Sequence, residues 1–194
     1  MNTDVMFSSK TDDWATPQDF FDYFNSIFHF TLDVCADKDN HKCEKYYTKE
    51  DDGLKQNWDG VFWMNPPYGR EIYDWVKKAY QEAYKYKPYY STVKTDAKYN
   101  IGVLLLPART DTKWFHEFCT RGEVIFLKGR LKFGDGKNSA PFPSMIVIFD
   151  GQFHPEARIP MFCNDNYQEV DNTYKVFDTC KLMTIERNYI KEER

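Results

Sequence analysis

Asn65-Pro66-Pro67-Tyr68 is the run of this chain best suited to chemistry. An asparagine offers an amide oxygen as acceptor, and a tyrosine offers a flat ring. Two successive prolines fix φ and remove two backbone donors, so the carbonyls of this turn have fewer local partners and can face a ligand. Two acceptors beside a stacking surface suit a planar group bearing an NH2. The exocyclic amine of adenine fits, and so does a side-chain amide. A Pro-Pro-Tyr turn also serves as a ligand for WW-type domains, but such ligands are extended and exposed. This one abuts the apolar run Val61-Phe62-Trp63-Met64.

The elements around the turn must position it. Val61–Met64 reads as a buried strand, and Ile72, Trp75, Val76, Ala79, Tyr80 and Ala83 fall on one face of a helix over 70–86. Upstream, Thr16 reads as an N-cap and Pro17 as the first residue of a helix running to 28. A strand over Phe30–Val34 ends in Asp33-Val34-Cys35-Ala36-Asp37, and a polar stretch over 37–60 holds a weak strand at Tyr46–Thr48. Gly102–Leu106 reads as a central parallel strand that Pro107 stops, with Thr110 or Asp111 capping a short helix to about 119. Glu123–Leu127 and Ser144–Phe149 read as a long-looped hairpin, and edge strands are expected at Lys175–Phe177 and Leu182–Ile185. Residues 87–100 show no period and read as a mobile insertion. Strands alternating with helices predict an α/β sheet, in which ligands sit at the carboxyl ends of strands. Asp33–Asp37, Asn65–Tyr68 and Pro107–Asp111 fall at three such ends, which predicts one shared pocket.

At 194 residues, 42% apolar and 18% aromatic, the chain suits a single folded unit with a real core and excludes wholesale disorder. The first residues are polar, so no signal peptide is expected, and no run is long enough to span a membrane. Five cysteines without a CxxC pair fit reduced thiols in the cytoplasm. Cys35, His41 and Cys43 match no zinc spacing, so no metal site is expected. The net charge of −4 is unevenly spread. Residues 1–60 carry 6 basic and 13 acidic side chains, 77–98 carry 6 and 2, and 121–137 carry 5 and 2. The two basic segments would suit a polyanion if the fold brings them together.

These residues resemble a known family. NPPY after an apolar strand is the signature of amino-group methyltransferases, and the wider pattern resembles the phage-type Dam family of DNA adenine-N6 methyltransferases. The matching stretches are DDWATP, FTLDVCAD, EDDGLKQNW, FWMNPPYGR, LLLPARTDTKWFH and LKGRLKFGDGKNSAPFPSMIVIF, in family order over residues 12–149. Residues 87–100 and 150–194 fall outside the matching motifs. The resemblance implies a Rossmann-like S-adenosylmethionine-dependent methyltransferase fold, a mostly parallel sheet with a reversed terminal strand. It places the methyltransferase domain at 1–150, with 151–194 as a C-terminal extension packed on it. The glycine-rich loop that follows the first strand in many methyltransferases is absent, and DVCAD stands in its place.

The resemblance also implies roles. Asn65 Oδ1 and the Pro66 carbonyl would accept both protons of the adenine amine and favour a pyramidal nitrogen, each contributing about 3–4 kcal/mol by analogy with oxyanion-hole donors. Tyr68 would stack on the flipped base, with Pro67 beside it, and a second aromatic would close the sandwich, Phe133 ahead of Phe142. Thr16 and Pro17 would contact the methionine end of S-adenosylmethionine, Asp33 its ammonium or ribose, and Asp52 its adenine amine, with Asp51 as the competitor one register away. Arg109 would touch DNA, and Lys128, Arg130, Lys132 and Lys137 would grip phosphates. The implied partner is double-stranded DNA in a bacterial or phage-infected cell, with a short target such as GATC or a relaxed one. Other planar amines (RNA adenine, cytosine N4, protein glutamine) and an inactive DNA-binding module are the alternatives.

Overall fold

The computed structural model describes residues 14–86, 98–134, 139–151 and the backbone of 174–178. The polar start, the insertion up to residue 97, Lys137 and the expected strand at Leu182–Ile185 lie outside them. In chain order the elements are α1 (Gln18–Phe28), β1 (Leu32–Asp33), β2 (Val61–Met64), α2 (Ile72–Ala83), β3 (Ile101–Pro107), α3 (Lys113–Glu117), β4 (Glu123–Lys128), β5 (Ser144–Asp150) and β6 (Tyr174–Asp178).

The strands form one sheet in the order β1-β2-β3-β5-β4-β6. β1, β2 and β3 pair in parallel, and so do β4 and β6, whereas β5 runs against both β3 and β4. Five strands thus share one direction in a mixed α/β sheet. The reversed strand is not at the margin. It lies between β3 and β4, because the hairpin return slots into the space beside the apolar β3, and β6 takes the edge. β3 and β5 are buried nearly throughout, as strands covered on both faces must be.

α1 buries Phe20, Phe21 and Phe24, and sets Phe21 edge-on to Trp63 of β2 at 5.5 Å. α2 buries Ile72, Trp75, Val76, Ala79 and Ala83, the face its 3.6-residue spacing predicts. Two cap expectations are corrected. α1 opens at Gln18 with Pro17 in the cap position and no side-chain cap, since the Thr16 hydroxyl is engaged with Asn65 instead. Neither Thr110 nor Asp111 caps α3. The chain turns tightly after Pro107, through bonds from Arg109 N to Pro107 O and from Thr112 N to Arg109 O, so the helix starts only after Thr112. β1 is shorter than the apolar run around it, and Tyr46–Thr48 contributes a single bridge from Tyr46 to Asp33.

A buried polar knot anchors the edge of the sheet remote from the strand carboxyl ends. Asn100 is fully buried; its side chain donates to Trp58 O and Glu82 O and accepts from Gly60 N, all at 2.8 Å. Asn100→Ala removes all three of these bonds, leaving Glu82 O and the half-buried Gly60 N without them while Trp58 O keeps Lys85 Nζ at 3.1 Å, and is expected to cost about 3 kcal/mol. Thermal unfolding should show it as a melting temperature lowered by roughly 6–12 °C.

Candidate active site

The parallel pairing of β1, β2 and β3 brings their carboxyl ends to one edge of the sheet, and with them Asp33, Asn65 and Pro107. Asn65 leaves β2 with its amide held on three sides. Its Nδ2 donates to the Trp14 carbonyl and, at 3.0 Å, to the Thr16 hydroxyl. A carbonyl can only accept, so the Trp14 contact fixes which end of the amide is nitrogen. The oxygen therefore faces Tyr68, whose hydroxyl donates to it at 2.8 Å. Both amide protons are used and one of the two oxygen lone pairs is taken, which leaves one acceptor position on Oδ1.

A cavity of about 920 Å³ opens beside this amide, a size suited to a cofactor. Thr16, Asp33, Asp52, Asn65, Pro66 and Pro67 all line it. Pro17 does not line it, and its carbonyl accepts from Phe21 N within α1. Between the two competing aspartates, Asp52 faces the cavity, whereas the Asp51 carboxylate accepts from the Thr48 N–H and hydroxyl at 2.8 Å each. Asp33 is 3% exposed and accepts from Cys35 N and Lys42 N. Burial pushes its carboxyl up to about 7, outweighing those two hydrogen bonds and the charges of Lys42 and His41. A buried carboxylate lining a cavity is a ready partner for a cationic ligand. Trp75 lines the same cavity and has a buried indole N–H with no hydrogen-bond partner among the described residues.

Tyr68 is buried, a point its residue type alone does not give. Its ring meets Phe142 at 5.4 Å and Phe133 at 6.2 Å, both edge-on, and Trp14 meets the same two phenylalanines at 5.1 and 5.5 Å. Tyr68, Trp14, Phe133 and Phe142 thus form a four-ring cluster, edge-to-face contacts being the favourable way for aromatic rings to fill a shared space. Burial raises the Tyr68 phenol well above its usual range despite the nearby Arg109 charge, so the hydroxyl keeps its proton. Arg109, Arg130 and Lys132 are exposed. They follow β3 and β4, which point the same way, so all three lie on the edge that carries Asn65. Alternation sets Leu131 and Phe133 inward between exposed Arg130, Lys132 and Gly134.

Sequence reasoning missed Trp14, whose contribution is partly a backbone carbonyl that no residue type reveals. It also placed Trp75 only on a core face of its helix. The signal for the cavity wall was the glycine of EDDGL. A Cβ at Gly53 would lie 2.4 Å from Val34 O and 2.9 Å from the Trp75 ring.

The family model described as DNA N-6-adenine-methyltransferase (Dam) matches residues 5–193. That span takes in 87–100 and most of 150–194, which the sequence motifs left out. The chain is 31% identical over 153 residues to the DNA N-6-adenine-methyltransferase of Haemophilus phage HP1, covering 73% of this chain and 80% of that protein. It is 33% identical over 124 residues to the protein of the same description from Escherichia phage T1, covering 61% of this chain and 45% of that protein.

Proposed function

Because the chain belongs to the DNA N-6-adenine-methyltransferase (Dam) family, we propose that it methylates the N6 amine of a target adenine in double-stranded DNA, using S-adenosylmethionine, with the base turned out of the duplex. The observation that carries this reading is the meeting, at one sheet edge, of a fixed Asn65 amide with one acceptor position left and a cavity lined by a buried carboxylate. The order of the sheet, with β5 reversed between β3 and β4, supports a Rossmann-like reading of the domain. No helix among the described residues is long and apolar enough to cross a membrane, in keeping with work on DNA in the cytoplasm of a bacterial or phage-infected cell.

S-adenosylmethionine supplies an electrophilic methyl when bound. The residues present fit it. Asp33 offers a carboxylate for its ammonium or ribose, Asp52 an acceptor for its adenine amine, and Thr16 a hydroxyl for its methionine end. The chain's own task is the nucleophile, because the adenine N6 lone pair is delocalised into the ring. Asn65 Oδ1 accepts a hydrogen bond from one N–H of the amine through its remaining lone pair, and the Pro66 carbonyl accepts one from the other. The pair holds the nitrogen pyramidal and stabilises the positive charge that develops on it. The base leaves the duplex because pairing buries N6. Arg109, Arg130 and Lys132 hold the flanking phosphates on the same edge.

Asp33 gives the reading a pH signature. Its carboxyl titrates near 7 in the fold, and a bound cation favours the ionised form, so the proton competes with the cofactor below that pH. Cofactor affinity should rise about tenfold from pH 6 to pH 8 and level off above. Calorimetric titration across that range checks it, and Asp33→Asn should flatten the curve. A flat wild-type curve would remove Asp33 from the cofactor site. The reaction itself is tested by labelled S-adenosylmethionine and unmethylated DNA, followed by nucleoside mass spectrometry and sequence mapping. N6-methyladenine in a defined context is expected. No transfer to DNA with the cofactor still bound would point to RNA or a protein amide instead.

A further inference from the structure

Three consecutive residues ahead of α1 touch Asn65, the loop carrying Phe133, and the cavity. The Trp14 carbonyl and the Thr16 hydroxyl accept both Nδ2 protons of Asn65. The Ala15 carbonyl accepts from Gly134 N at 2.9 Å, next to Phe133. The Trp14 ring packs edge-on against Phe133 and Phe142. All three residues also line the cavity. Gly134 has φ +62°, a conformation that suits glycine, and this lets the loop present its N–H to Ala15.

We propose that Trp14–Thr16 is a positioning strap, in which the Thr16 hydroxyl sets the Asn65 amide so that its oxygen meets the substrate amine, and through which an occupied cavity organises both Asn65 and the loop carrying Phe133. The proposal rests on the reading of Asn65 given above and adds a role for Thr16 distinct from cofactor contact. The chemistry is that of a two-faced hydroxyl. By accepting from Asn65, the Thr16 oxygen uses a lone pair and leaves its own proton to donate into the cavity that it lines. A ligand acceptor there would polarise the hydroxyl and strengthen its bond to Nδ2 in turn. Without the Thr16 oxygen one Nδ2 proton is unpaired, and the amide is held only by Trp14 and Tyr68. Thr16 is therefore a positioning residue that acts through Asn65.

The test uses the full chain with Thr16→Val, which keeps the shape and removes the acceptor, and Thr16→Ser, which restores it. The first readout needs no activity. In a nitrogen-15 amide spectrum, the Asn65 side-chain pair is identified by its loss in Asn65→Ala. Thr16→Val should move one of its two protons upfield and speed its exchange with water, and Thr16→Ser should not. The second readout is the single-turnover rate on unmethylated DNA at saturating S-adenosylmethionine. Thr16→Val should be about tenfold slower, the size expected for one lost hydrogen bond, and Thr16→Ser should recover most of the rate. In the Asn65→Ala background the Thr16→Val penalty should vanish, whereas a purely cofactor-binding or structural role would persist there. An Asn65 resonance that does not respond to Thr16→Val overturns the proposal, and so does a rate penalty that is undiminished without Asn65. If the resonance responds but the wild-type chain does not methylate DNA, the strap stands and the assignment of substrate fails.

Discussion

Asn65→Ala is expected to slow single-turnover methyl transfer by about 10²–10³ while leaving cofactor affinity within a few-fold of wild type. The size follows from losing an acceptor that is fixed before the substrate arrives. Both Nδ2 protons and one Oδ1 lone pair are already committed in the fold, so the remaining acceptor position needs no reorganisation when charge develops on the amine. The substitution leaves Trp14 O and Thr16 Oγ1 beside the cavity that these residues line, where water can satisfy them. The fold should therefore survive. Asn65→Asp separates geometry from oxygen count. It keeps an acceptor but turns a carboxylate oxygen toward the Trp14 carbonyl, acceptor against acceptor, so its oxygens swing out of place and the rate should also fall. Rapid-quench measurement with labelled cofactor reads the chemical step, and titration calorimetry reads binding. A rate for Asn65→Ala within about threefold of wild type would remove Asn65 from the reaction.

Much of this site was legible from the chain because it depends on features that residue type and spacing encode. The apolar runs at 61–64 and 102–106 marked central strands, and stops such as Pro66-Pro67 and Pro107 marked their carboxyl ends. Parallel pairing then delivered Asp33, Asn65 and Pro107 to one edge. The hairpin of β4 and β5 followed from alternation and a glycine-rich loop, but its slot inside the sheet did not. Strand order depends on which apolar faces find each other, and β5 carries the complement to β3 along its whole length. Caps were misread at Thr16 and Asp111 for a related reason. A hydroxyl or carboxylate before a helix is only a candidate cap, and a tertiary partner can claim it, as Asn65 claims Thr16. The competition between Asp51 and Asp52 turned on one residue of register, and in the fold Asp52 lines the cavity and pairs with Lys55 whereas Asp51 turns to Thr48. The burial of Tyr68 was least accessible, because it depends on Trp14, Phe133 and Phe142 converging from two segments more than a hundred residues apart.

That convergence sets the second large effect. Tyr68→Ala is expected to lower kcat/KM on DNA by about 30- to 1,000-fold, through two losses that differ in kind. Stacking of a flipped base on an aromatic ring is worth roughly 1–3 kcal/mol. The hydroxyl contact to Asn65 adds about 1 kcal/mol, since without it the amide oxygen is less well aimed. The Phe142 ring meets Tyr68 at an interplanar angle of 75°, so on the proposed reading a base stacking on Tyr68 enters an aromatic cluster that is already packed. Flipping, on that reading, trades aromatic contacts within the cluster for contacts with the base, and the target site sees only the difference. Truncating Tyr68 also opens a cavity among Trp14, Phe133 and Phe142, at a cost to stability of about 3–5 kcal/mol. Assays belong well below the variant's lowered melting temperature. A fluorescent purine analogue at the target position reads capture directly. Its signal on mixing with enzyme should be lost in Tyr68→Ala and retained in Tyr68→Phe, which keeps the ring and the packing. An undiminished signal in a folded Tyr68→Ala would show that the base is held elsewhere. The variants at the two ends of NPPY should thus fail at different steps: Asn65→Ala captures the base and transfers slowly, whereas Tyr68→Ala transfers little because the base is not held.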